Sequence, residues 1–124
     1  MSQGMKLAFI VHAVVALIFG VLLFLIPDTF GSWFGMTAGD ATTARTFGAA
    51  ILGLSAGSWL ASQAKSFEQV RIKLAIEIVY GTLGALATLY ELLFGSAPAA
   101  AWLTFIILAG FAVIWVYYYR QARA

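Results

Sequence analysis

The sequence predicts an all-α membrane protein, a four-helix transmembrane bundle running up-down-up-down with its N- and C-termini cytoplasmic. Three observations predict it. The 124 residues contain four apolar runs of about twenty residues, the length that crosses a hydrocarbon core of about 30 Å. Hydrophobic residues make up 63% of the chain and charged residues only 10%, against about 25% charged in a soluble domain. A chain this short buries too little of its surface to hide so much apolar area from water. Finally, six of the seven cations fall on one set of alternating connections, as short cytoplasmic loops require.

The runs are read as one membrane domain over residues 1–124. Span one is 7–26, in which His12 is the one strongly polar residue, and Pro27 ends it. Its length and the Ile26-Pro27-Asp28 sequence argue against a cleaved signal peptide. Residues 28–41 form the longest loop, with glycines and the aromatics Phe30, Trp33 and Phe34, which suit the headgroup level of the outer interface; a short helix there is one form it can take. Span two is 42–62, capped by Asp40 or Thr42. Span three is 70–94, opened by a capping box at Ser66-Phe67-Glu68-Gln69 and closed by Gly95. Span four is 99–119, with Pro98 in its first turn. Continuous runs of this length fit helices, not the ten-residue alternation of barrel strands.

Orientation follows from the charges. Lys6, Lys65, Arg71, Lys73, Arg120 and Arg123 lie on the side of the N-terminus, and Arg45 alone on the other, beside Asp28, Asp40 and Glu91. The cation-rich side is cytoplasmic, placing the protein as a multi-pass protein of an inner or plasma membrane. The bilayer is the expected partner, its anionic headgroups attracting the basic ends. Nucleic acid is not expected, because no basic run interleaved with aromatics occurs. There is no cysteine, so disulfides and thiolate metal sites are excluded.

Two kinds of candidate residue remain. Ala49, Gly53 and Gly57, with Ala61, fall four apart on span two, and Gly81 and Gly84 lie on span three. Such small-residue stripes admit close helix approach, with a partner either in the same chain or in another subunit of a homo-oligomer or larger membrane complex. The second kind is ionisable. Glu77, Gly81, Gly84, Thr88 and Glu91 share one helix face; the two carboxylates are about 21 Å apart along it and cannot serve one reacting atom. His12 and Glu77 enter their spans to similar depth and are candidates for a hydrogen-bonded proton or ligand site, since ionisable groups in membranes are costly; the alternative is a satisfied structural bond, or Glu77 reaching the interface beside Lys73. Arg45 and Glu91, near the outer boundary, are read as a salt bridge or as a contact to an anionic solute. The hydroxyls of Ser55, Ser58, Thr82 and Thr88 are expected to bond to their own helix. No catalytic set, phosphate loop or zinc motif is present, and no metal or cofactor is implied.

With Pro27 ending span one, a glycine-rich outer loop and Arg45-Thr46-Phe47-Gly48 opening span two, the whole chain resembles small four-span integral membrane proteins of bacteria and archaea. That resemblance implies the four-span fold and no particular activity. Small multidrug transporters, with a glutamate in span one where this chain has His12, fit less well, as do fluoride channels with their phenylalanine-rich broken third span. Membrane glutathione-transferase-like enzymes carry an asparagine-bearing motif, and this chain has no asparagine. The sequence therefore favours a structural, accessory or oligomer-forming membrane component. A small transporter of a lipophilic or protonatable solute, using His12 and Glu77, is the alternative; an enzyme is least supported.

Overall fold

The computed structural model describes residues 1–36 and 39–124. These form five α-helices and no strand: α1 (Gln3–Leu25), α2 (Pro27–Trp33), α3 (Ala41–Ser62), α4 (Phe67–Phe94) and α5 (Ala101–Arg123). They gather into two compact units, Ser2–Gln63 and Ala64–Ala124, each built on an antiparallel helix pair. Among the described residues, α1, α4 and α5 are long and apolar enough to cross a membrane. Only 28%, 22% and 17% of their most apolar stretches is buried within the molecule, so most of that apolar surface faces outward, as lipid-facing helices require. α3 is long enough at 22 residues, about 33 Å, but Arg45, three glycines and its threonines and serines dilute it below the apolarity of the other three.

The helices outrun the expected spans at their ends. α1 starts at Gln3 because the Ser2 hydroxyl accepts the Met5 amide at 3.2 Å, a cap that works in water as well as at the membrane surface. It stops at Ile26, whose backbone (φ −134°, ψ 56°) has left the helical region, as the residue before a proline is driven to do. Pro27 then opens α2, where its missing amide hydrogen costs nothing. The expected loop 28–41 therefore begins as a short helix, while Thr37 and Ala38 within that loop lie outside the described residues. α2 closes on Gly35, in the left-handed region at φ +71°, with the Gly35 amide on the Ser32 carbonyl and the Met36 amide on the Gly31 carbonyl. That pair of bonds is the Schellman stop, which favours glycine at this position. Phe30 is buried and meets the Phe19 ring of α1 edge-on, with centroids 5.7 Å apart, so α2 folds back against α1.

In the first unit α1 and α3 run antiparallel at close range. Gly48 lies against the α1 backbone: a Cβ there would sit 2.8 Å from the Phe24 nitrogen and 3.0 Å from the Gly20 carbonyl oxygen. A Cβ on Gly20 would meet the Leu52 side chain at 2.8 Å. Asp40 caps α3, its carboxylate accepting the Thr42 amide at 2.9 Å and the Thr43 hydroxyl at 2.8 Å. The Thr43 hydroxyl, then the Thr42 amide, hold its carboxyl below the ordinary aspartate value of 3.8.

The second unit is the α4–α5 hairpin. Gln69 completes the cap of α4, its side-chain oxygen accepting from the amides of Lys65 (2.8 Å) and Ser66 (3.4 Å). α4 ends at Gly95, whose amide reaches the Glu91 carbonyl. The sequence expectation of Pro98 in the first turn of the last span is corrected, since Pro98 precedes α5: the Ala101, Trp102 and Leu103 amides donate to the carbonyls of Pro98, Ala99 and Ala100, tight turns that lead into the helix. Phe67 at the start of α4 meets Tyr119 near the end of α5, with centroids 5.7 Å apart, and Gly81 lies on Ala112 and Leu108. Val70, Leu74, Glu77, Gly81 and Ala85 form the buried face of α4.

The contrast between Gly48 and Gly53 gives a direct test. A Cβ at Gly48 meets backbone at 2.8 Å, whereas at Gly53 nothing lies within 4 Å. Gly48→Ala is expected to cost about 1–3 kcal/mol by forcing the helices apart. Gly53→Ala should be neutral or stabilising by up to about 1 kcal/mol through helix propensity. Thermal unfolding of both variants in mild detergent checks the ordering.

Candidate functional site

The densest set of polar contacts lies along the α1–α3 seam. His12 and Ser58 are both buried, and the His12 Nδ1 is 2.8 Å from the Ser58 hydroxyl oxygen. One turn along, the Ser55 hydroxyl donates to the Ala13 carbonyl at 2.7 Å. Next come the opposed glycines Gly20 and Gly48. At the far end the Arg45 guanidinium Nη1 donates to the Phe24 carbonyl at 2.6 Å. Residue numbers rise on one helix as they fall on the other, as two antiparallel helices in register require. The expectation that Ser55 bonds to its own helix is corrected here: its hydroxyl crosses to α1, and Ser58 meets His12 of α1 as well, because both lie on the face that Gly48 brings against it. Thr88 does bond within its helix, to the Gly84 carbonyl at 2.8 Å.

Arg45 acquires a specific task. The last carbonyls of a helix have no partner within it, and the last turn of α1 carries no basic residue of its own. Arg45 supplies both the donor and the positive charge from the neighbouring helix, where the negative end of the helix dipole favours a cation. The salt bridge expected from Arg45 to Glu91 would join residues of different units, and each residue has a place within its own. The Glu91 carboxylate folds over Gly95, into the position a Cβ would occupy, at the C-terminus of α4.

Glu77 is 1% exposed and accepts a hydrogen bond from the Lys73 ammonium one turn earlier. The Lys73 side chain is 16% exposed, so its stem is largely buried while its head pairs with the carboxylate. Charge-assisted pairing of this kind is what a carboxylate taken out of water needs. His12 belongs to the first unit, where it meets Ser58, and Glu77 to the second, where it meets Lys73.

The small residues divide. Gly81 and Gly84 face α5, at Ala112 and at Leu108. Ala49 and Gly53 are exposed and Gly57 is half-buried; α1 packs on the adjacent stripe of Gly48, Ser55 and Ser58 instead. Ser58 as a partner of His12 does not follow from the depth of the two ionisable groups in their spans. The spacing of Gly48, Ser55 and Ser58, small residues seven and three apart on one face, is the signal that could have found it. Among the described residues no group of three His, Asp or Glu side chains converges as a metal site would need. Comparison with protein-family models, curated proteins and solved structures gives no match.

The seam predicts the effect of its hydroxyls. Ser58→Ala removes a bond to the His12 ring, and Ser55→Ala removes a donor to a carbonyl that α1 also uses internally. Each is expected to cost about 0.5–1.5 kcal/mol, with Ser58→Ala the larger because its bond is to a buried imidazole. Thermal unfolding in detergent of the two single variants and the double variant reads the order; a Ser55→Ala loss equal to or above that of Ser58→Ala would contradict it.

Proposed function

We propose that the protein is a multi-pass inner or plasma membrane protein in which α1, α3, α4 and α5 each cross the bilayer, as an up-down-up-down four-helix bundle with both termini cytoplasmic. Its role is that of a structural or accessory component, which assembles with further copies or with other membrane proteins through α3. What supports the topology is the outward apolar surface of three helices and the gathering of six of seven cations on alternate connections.

The observation that carries the assembly role is the Ala49–Gly53 face of α3. It is exposed, and at Gly53 a Cβ would meet nothing within 4 Å, while the polar groups of the same helix point the other way and are satisfied by α1. A flat strip of small residues on a membrane helix permits close approach of another helix, held by dispersion and weak contacts. Gly53→Leu, whose Cβ would meet nothing within 4 Å, is expected to weaken assembly roughly tenfold, the scale of a 1–2 kcal/mol helix contact. Intact-complex mass measurement after gentle extraction checks this, and a complex of unchanged mass and abundance in Gly53→Leu refutes it.

A second reading is favoured by one observation, the nearly complete burial of Glu77 in α4. Ionisable groups held inside a membrane helix commonly mark proton or solute pathways. On this reading the protein carries a lipophilic or protonatable solute, with Glu77 as the protonatable group. Glu77→Gln should then abolish pH-dependent solute flux in proteoliposomes, and flux with an unaltered pH profile excludes Glu77 from that role.

A further inference from the structure

The second unit carries a basic end and an apolar groove on the same helix. α4 begins and α5 ends side by side, as the Phe67–Tyr119 ring contact records. Lys65, Arg71, Lys73, Arg120 and Arg123 therefore collect at one end of the hairpin, against the acidic Glu68 and the buried Glu77. Arg71 pairs with Glu68 only at 3.7 Å, with both side chains more than half exposed. A surface pair of this kind is worth little, so the guanidinium is available to an external anion. Arg123 lies over the Tyr119 ring, 5.6 Å from its centroid.

A groove runs along α4 from that end, lined by Ala75, Ile76, Val79, Tyr80, Leu83 and Gly84. Its walls are almost wholly apolar. These positions recur every fourth residue, and the same stripe extended one turn toward the start of α4 reaches Arg71. From Ala75 to Gly84 the groove is about 13 Å long at ~1.5 Å per residue, against about 15 Å for one leaflet of a ~30 Å hydrocarbon core.

We propose that this face of α4 binds one anionic phospholipid, its phosphate held by Arg71 at the basic end and one acyl chain lying in the Ala75–Gly84 groove. The charge selects the headgroup, because the five cations at that end outnumber its carboxylates Glu68 and Glu77, which favours an anionic lipid over a zwitterionic one, and guanidinium binds phosphate through paired hydrogen bonds. The dimensions select the chain, because a groove one leaflet deep and open to the outside fits an extended acyl chain. The proposal rests on α4 being membrane-embedded, as in the function proposed above.

The test is intact-complex mass spectrometry of the full chain, in mild detergent with equimolar phosphatidylglycerol and phosphatidylcholine of identical acyl chains. Retention of a single phosphatidylglycerol in preference to phosphatidylcholine is expected. Arg71→Gln should lower that retention roughly fivefold, the effect of one cation near a headgroup. Arg120→Gln, a cation at the same end but off the groove, should change it less than twofold. Ala75→Trp, which fills the groove, should lower retention of both lipids. Equal retention of the two lipids, or equal losses in Arg71→Gln and Arg120→Gln, overturns the proposal in favour of diffuse attraction, as does a second copy of the chain in place of lipid. Should Ala75→Trp not fold, the comparison of Arg71→Gln with Arg120→Gln, both exposed positions, decides alone. Membrane residence is read separately, by resistance to alkaline carbonate extraction. A protein that stays in the membrane pellet yet shows no lipid preference fails this proposal only, and one released by carbonate fails the membrane reading itself.

Discussion

The approach of α1 to α3 at Gly20 and Gly48 is the constraint from which the first unit follows. Two helices whose backbones come this close must be nearly free of side chains at the crossing, and a Cβ on Gly48 would meet backbone atoms of α1 at 2.8 and 3.0 Å. Closeness at one point fixes the register everywhere else along an antiparallel pair. It sets Ser55 against the Ala13 carbonyl and Ser58 against His12, and it delivers Arg45 to the end of α1. A bulkier residue at the crossing would lengthen all of these contacts together, since the reach of a serine hydroxyl is short.

The register matters because of the solvent. Where water is absent, an unpaired polar group costs several kcal/mol, and a helix that carries His, Ser and Arg through such a region needs a fixed address for each. The first unit solves this with neutral or singly charged hydrogen bonds between helices. In the second, Lys73 stands one turn before Glu77 and bonds to it, and Gly81 and Gly84 admit α5. The seam of the first hairpin is thus set by register between helices, and the Lys73–Glu77 bond of the second by spacing along one helix.

This difference explains what could be read from the residues alone. Features set by neighbours in sequence were legible: the apolar runs, the Asp40 cap, the Gln69 half of the capping box, and the Lys73–Glu77 spacing. Features set by a second helix were not. On α3 the stripes through Gly48, Ser55 and Ser58 and through Ala49, Gly53 and Gly57 are one residue, about 100°, apart, and both consist of small residues. Composition favoured the second, but only the position of α1 decides which is covered, and α1 covers the first. The bond from Arg45 to Phe24 was hidden for the same reason, since no side-chain pattern announces a backbone carbonyl. The helix ends ran past the apolar spans because caps such as Ser2 act on backbone amides and are indifferent to the membrane boundary. Pro98 fell outside α5 because the turns that follow it use its carbonyl, not its ring.

Once the buried groups have partners, what remains for function is the outside. His12, Ser55, Ser58 and Arg45 each bond across the α1–α3 seam, Thr88 bonds within α4, and Glu77 bonds to Lys73. The outward faces are of three kinds: large apolar side chains that suit lipid tails, the small-residue strip on α3, and the basic end of the α4–α5 hairpin. The first kind is common to every membrane helix and selects nothing. The other two differ from it by shape and by charge, the properties through which a membrane surface distinguishes a neighbouring helix from a lipid and one lipid from another. On the proposed reading, selectivity is a matter of that outer surface, and the bonds along the α1–α3 seam serve to keep it in one shape.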